Sequence, residues 1–249
     1  MTYKGAVLDL DNVLFPTSDY EVRVLRSATN SMIEAGLPTK LSEGLERLMK
    51  IRKESGANAG NHFDLLCESY CLKPAPQRIV QAGVSGYHSE REKLFVPQTE
   101  TNDFLDFLVE NNFRSCVVTQ GLESKQWFKL VRLGIVNYFL LRNEHGQVAK
   151  ELVYILENEN NKLERKSALV VRFIEEAEID QSSSFVVDDR LYGIVAAKKV
   201  GIRYGFRLKR GKYIDEIYGN GIDARLKHDA EVTNLYELMN VLKRTNLIK

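Results

Sequence analysis

Residues 6 to 15 read A-V-L-D-L-D-N-V-L-F, an apolar run carrying Asp9 and Asp11 one residue apart. In a strand, alternate residues share a face, so the two carboxylates start out pointing the same way. Like charges on one apolar face repel and resist desolvation, and solvent at the strand's end or a bound cation must compensate. Further along, V-V-T-Q-G supplies Thr119, Gln120 and Gly121, and V-V-D-D supplies Asp188 and Asp189. A lysine, Lys166, opens the helical pattern that leads into the second of these runs. Carboxylates, a hydroxyl, a small turn and an ammonium group brought to one crevice form a set of hard ligands. Such a set fits Mg²⁺, which keeps several waters and is held by one or two carboxylates plus a phosphate. Thr119, the backbone N–H groups near Gly121, and Lys166 are suited to hold phosphate oxygens.

The elements that must bring these residues together are legible as a β-then-α rhythm. Strand-like runs are G-A-V-L-D-L, S-C-V-V-T, S-S-F-V-V-D-D, G-I-R-Y-G-F and the weaker A-E-V-T. The first three are continuously apolar, which suits a parallel sheet covered on both faces. Helical patterns follow two of them, K-Q-W-F-K-L-V-R-L and Y-G-I-V-A-A-K-K-V. The expected fold is therefore α/β, a doubly wound parallel sheet, with ligands at the C-terminal ends of its strands. Residues 16 to 95 hold no strand-like run and give four helical blocks separated by Gly, Pro and Asn. They form an expected helical domain inserted into a core made of residues 1–15 and 96–249. Residues 143 to 165 look like a β-hairpin or flap.

Hydrophobic residues make up 44% of the 249-residue chain, ordinary for a globular protein. Lys+Arg of 35 against Asp+Glu of 34 leaves a net charge of +1, which offers nucleic acid or a membrane surface no general attraction. No apolar run is long enough to span a bilayer, and no signal-peptide pattern opens the chain. The three cysteines do not form a disulfide framework. A cytoplasmic protein, monomeric or homodimeric, without nucleic-acid or membrane partners, is expected.

In order along the chain, D-L-D-N-V-L, V-V-T-Q-G, K-S-A-L and V-V-D-D-R resemble the four motifs of the haloacid dehalogenase-like (HAD) superfamily. The helical interval resembles the C1-type cap of its subfamily I. Stretches such as N-S-M-I-E-A-G-L-P and G-L-E-S-K-Q-W-F-K-L-V-R-L-G-I are similar to a phosphatase subgroup common in archaea. The resemblance implies a Rossmann-like core and a Mg²⁺-dependent phosphatase acting on a small phosphorylated metabolite. By position Asp9 would be the nucleophile that forms an aspartyl-phosphate, and Asp11 the general acid and base. Asp9, the Asp11 carbonyl, Asp188 and Asp189 would hold the metal. Asn12, Thr119, Gln120, Gly121 and Lys166 would bind the substrate's phosphate.

Two assignments stay open at this level. Lys150 is the alternative to Lys166, and either Asp188 or Asp189 could be the main metal ligand. A phosphomutase shares all four motifs. Asp11 argues against a dehalogenase, and the intact motifs argue against a non-catalytic module. Elsewhere plain packing is the simpler account: His62, Cys67 and Cys71 as well as Trp127 and Phe128 are expected in cores, and residues 207 to 212 (R-L-K-R-G-K) in a solvated loop.

Overall fold

The computed structural model describes residues 2–56, 59–157, 160–219 and 221–248. The chain divides into two compact units, Met1–Thr17 with Pro97–Lys249, and Ser18–Val96. The first holds a six-stranded sheet made of β1 (Tyr3–Leu8), β2 (Phe113–Gln120), β5 (Val153–Leu156), β6 (Ile179–Asp188), β7 (Tyr204–Leu208) and β8 (Ala230–Val232). Its order is β5-β2-β1-β6-β7-β8, and every neighbouring pair is parallel. The chain lays strands outward from β1 on one side, through β2 to β5, and then continues on the other side with β6, β7 and β8. The strand order thus reverses between β1 and β6, where open α/β sheets present their ligand crevice.

Continuous apolar runs form the central strands because both faces are covered. Ala6, Val7 and Leu8 of β1, Cys116, Val117 and Val118 of β2, and Phe185, Val186 and Val187 of β6 are all buried. The helices of this unit are α5 (Thr99–Glu110), α6 (Glu123–Arg132), α7 (Lys162–Glu176), α8 (Leu191–Lys199) and α9 (Leu235–Leu242). Phe185 lies at an aromatic centre, edge-on to Phe113 at 5.3 Å and to Phe206 at 5.8 Å between ring centroids. Among the described residues the other unit has no strand. Its helices α1 (Thr17–Glu34), α2 (Leu41–Ser55), α3 (His62–Glu68) and α4 (Gln77–Leu94) close on a core that includes Met32, Leu48, Leu66, Cys67 and Ile79.

Several expectations need correction. The presumed flap is two things. Residues 143–147 make the turn of an antiparallel hairpin between β3 (Leu140–Arg142) and β4 (Val148–Glu151), whereas V-Y-I-L is the edge strand β5 of the main sheet. That strand is short and follows β4 after one residue, so no turn signal set it apart. The flap's tail includes residues 158 and 159, which lie outside the described residues. The basic run is a loop only in part: Arg207 and Leu208 are buried in β7, Arg207 with Nη1 donating to Glu231 Oε1 at 2.9 Å and Nη2 to the Tyr213 carbonyl at 2.7 Å, while residues 209–212 leave the strand and Lys212 is exposed. His62 and Cys67 are buried as expected, but Cys71 is exposed at a turn with φ of 60°. Truncation of Phe185 to Ala should cost about 3–5 kcal/mol, read by chemical denaturation; a loss near zero would mean that the aromatic centre does not anchor the sheet.

Candidate active site

β1 ends at Leu8, so Asp9 and Asp11 lie just beyond it rather than on one strand face. Asn12 adopts a φ of 62°, a left-handed conformation that Asn tolerates better than most residues. Its N–H donates to the Phe15 carbonyl at 2.7 Å and closes the turn. The two carboxylates therefore meet different surroundings. The Asp9 N–H donates to the Val187 carbonyl of β6 at 3.0 Å, which places its side chain beside that strand's end. Asp11 turns toward α6 and the start of α1.

Around Asp9 the groups are buried and charged. Lys166 Nζ lies 3.6 Å from Asp9 Oδ1 and 2.5 Å from Asp188 Oδ2. Asp188 Oδ1 accepts the Arg190 N–H at 2.9 Å, and Asp189 Oδ2 accepts Asn12 Nδ2 at 2.9 Å. Carboxylate oxygens of Asp9, Asp188 and Asp189 come within 4.8 Å of one another, the one such group of potential metal ligands among the described residues. Gly193 of α8 makes the pairing possible: a Cβ there would overlap Asp188 Oδ2 and stand 3.0 Å from Lys166 Nζ. Lys166 sits in the second turn of α7, not its first, on the inward stripe with Val170 and Phe173. Lys150 lies elsewhere, 3.4 Å from Glu176 Oε1 and half-exposed.

Three carboxylates against one ammonium leave this cluster in need of positive charge. Burial pushes the Asp9 carboxyl up; Lys166 pulls it back, and Asp188 and Asp11 raise it further, to about 7. Burial, with Asp188 and then Asp9, pushes Asp189 up to about 8. For Lys166, burial acts to lower the value, but the charges of Asp188 and Asp9 outweigh it and hold the ammonium above its ordinary range. Asp9 Oδ1 and Thr119 Oγ1 are buried without a hydrogen-bond partner, as atoms awaiting a ligand would be. The donor set, all carboxylate oxygen with two acids raised by burial and then by their neighbours' charge, fits a divalent cation.

Thr119 and Gln120 end β2, and Gly121 follows with its N–H on the Leu156 carbonyl at 3.1 Å. The sequence drew attention to Trp127 and Phe128 of α6 as core, but both are half-buried. The inward face of α6 carries Gln126, Lys129 and Leu130 instead. Lys129 Nζ donates to Asp11 Oδ1 at 2.5 Å, and Thr17 Oγ1 donates to the same oxygen. Tyr192 of α8 donates to Gln120 Oε1 at 3.3 Å, its ring centroid 5.4 Å from Lys166 Nζ. Gln126, Lys129, Thr17, Tyr192 and Gly193 were not singled out from the sequence. The only available signal was two polar residues at i, i+3 on an otherwise amphipathic helix, which reads equally well as a solvated face.

No protein-family model matches the chain. It is 34% identical over 246 residues to the glyceraldehyde 3-phosphate phosphatase of Methanopyrus kandleri, covering 96% of this chain and 97% of that protein. It is 29% identical to the glyceraldehyde 3-phosphate phosphatase of Pyrococcus furiosus, over 98% of this chain and 94% of that one. A solved HAD-family hydrolase from Deinococcus radiodurans, crystallised with phosphate and sodium, superposes with a TM-score of 0.60 at 14% identity, over 99% of this chain and 98% of that one, a likeness of fold. The chain belongs to the haloacid dehalogenase-like superfamily, among its archaeal-type phosphatases.

The raised Asp9 and Asp189 give a prediction with a definite sign. An acid raised on folding holds more protons folded than unfolded, so its stabilising contribution is present below about 4 and is lost as pH rises through about 7 to 8. The protein in EDTA should therefore lose melting temperature between pH 6 and pH 9, and saturating Mg²⁺ should restore more at pH 9 than at pH 6. A metal response that is the same at both pH values would count against this account of the cluster.

Proposed function

We propose that this phosphatase is a Mg²⁺-dependent phosphomonoester hydrolase whose substrate is glyceraldehyde 3-phosphate or a comparably small phosphorylated metabolite, and that Asp9 carries the phosphoryl group between its two steps. The observation that carries the proposal is the buried Asp9 carboxylate, whose Oδ1 accepts no hydrogen bond and lies 3.6 Å from the Lys166 ammonium, near two further acids. The full-length similarity to archaeal glyceraldehyde 3-phosphate phosphatases supports the substrate class. In the first step Asp9 attacks phosphorus, the bond to the leaving oxygen breaks, and Asp11 gives that oxygen its proton. In the second step Asp11 takes a proton from water, the hydroxide attacks phosphorus, and inorganic phosphate leaves Asp9.

Lys166 and the Thr119 hydroxyl are assigned to the phosphoryl oxygens, with Asn12, Gln120 and Gly121 shaping the pocket around them. Asp188 is engaged by Lys166 and the Arg190 N–H, so we assign the larger share of metal binding to Asp189. Asp9, Asp189, Asp188 and the Asp11 carbonyl would hold the Mg²⁺, which supplies the charge neutralisation that lets a carboxylate approach an anionic phosphate. The helical domain, residues 16–95, is assigned to substrate selection as a cap. No helix of the described residues is long and apolar enough to cross a membrane. With its three cysteines free of disulfides, we place the enzyme in the cytoplasm, as a monomer or homodimer.

The test is phosphate release from a panel of small phosphoesters, including glyceraldehyde 3-phosphate, with Mg²⁺ and with EDTA. Release in Mg²⁺ alone, lost by several orders of magnitude in a folded Asp9→Asn variant, is expected; an isomerised sugar phosphate in place of free phosphate would mark a mutase instead. A second pair of variants separates the lysines. Lys166→Ala should cripple turnover and Lys150→Ala should leave most of it, and the reverse result would overturn the assignment.

A further inference from the structure

Asp11 is held by groups that the proposed chemistry does not use. Its Oδ1 accepts Lys129 Nζ at 2.5 Å and Thr17 Oγ1, and its Oδ2 lies 3.4 Å from Gln126 Nε2. Gln126 also donates to the Gln120 carbonyl at 3.0 Å, and its Oε1 accepts Lys129 Nζ at 3.2 Å. Gln126 fits closely enough against Gly121 that a Cβ on that glycine would overlap its amide. The two side chains, one helical turn apart on α6, are buried at 3% and 9% exposure. Packing alone is met there by an apolar side chain at lower desolvation cost, since a buried ammonium is offset only by well-placed acceptors. The acceptors that Lys129 meets are Asp11 and Gln126.

We infer that Lys129 and Gln126 are positioning residues, which clamp the Asp11 carboxylate against the Gln120–Gly121 turn so that the proton carrier and the phosphate-binding turn keep a fixed separation. The inference rests on the phosphatase reading, with Asp11 as proton carrier. The clamp is built on a rigid helix rather than on the loop that carries Asp11, and it reaches both partners through one amide. A displacement of Asp11 by about an ångström is enough to cost on the order of 10²-fold in rate. Lys129 meets Asp11 and Gln126 rather than the phosphate-binding turn, so its loss falls on kcat more than on KM.

The experiment is a double-mutant cycle in the Mg²⁺-loaded full chain. Lys129→Met should lower kcat by about 10- to 100-fold with KM within about threefold. In an Asp11→Asn background the same change should add no further loss, because Lys129 acts through Asp11. Wild-type kcat in Lys129→Met, or losses that multiply in the double variant, overturns the inference. If Lys129→Met does not fold, Gln126→Leu runs the same cycle; because it also frees the Gln120–Gly121 turn, its loss should shrink rather than vanish in the Asp11→Asn background, and an undiminished loss overturns the inference. Amine labelling of Lys129, read by mass spectrometry, checks the clamp without turnover: it should rise in Asp11→Asn and stay at the wild-type level in Asp9→Asn. Equal labelling in both would show that Asp11 does not hold the ammonium. Absence of phosphate release by the wild type would instead sink the phosphatase reading, a result distinct from any of these.

Discussion

The Lys166 ammonium, buried between Asp9 and Asp188, is the interaction on which the rest of the site depends. An ammonium deprived of water is tolerable only where carboxylates replace the lost solvation. Here that replacement needs three separate elements to converge. The loop after β1 brings Asp9, the end of β6 brings Asp188, and the inward stripe of α7 brings the lysine. It also needs an absence, the missing side chain at Gly193, without which Asp188 could not reach the lysine. The parallel pairing of β1 with both β2 and β6 sets the strand ends level, so the convergence follows from sheet register rather than from loop length.

The same arrangement separates two carboxylates that stand one residue apart in sequence. Burial, and after it the neighbouring acids, raise Asp9 to about 7, and the three clustered carboxylates offer a cation its ligands. Asp11 is partly exposed and gripped by an ammonium, a hydroxyl and an amide. The proposed roles divide along the same line, metal binding and attack on phosphorus for Asp9 and proton exchange for Asp11. The left-handed turn at Asn12 bends the chain away from the strand direction immediately after Asp11.

How much of this was legible depends on whether the physics involved was local. The continuous apolar runs of β1, β2 and β6 announced a parallel sheet because burial on both faces leaves no polar alternation. Asp9, Thr119, Asp188 and Asp189 could be picked out because they stand at the ends of such runs and in the order of a known set of motifs. The short strand β5 was hidden because an edge strand adjoining a hairpin carries the same pattern as the hairpin. Arg207 was hidden too, since a basic residue buried by Glu231 and a backbone carbonyl reads in sequence like a solvated one.

The sequence by itself determined the class of fold, the order of the motifs and the candidate carboxylates, all of which follow from hydrophobic periodicity and residue chemistry along the chain. Only the tertiary structure decided between Lys166 and Lys150 as the neighbour of Asp9, gave Asp188 to the lysine and Asp189 to Asn12, and turned the polar face of α6 onto Asp11. Those are matters of distance between residues far apart in the chain. Electrostatic pairing falls off with distance in space and is indifferent to distance in sequence.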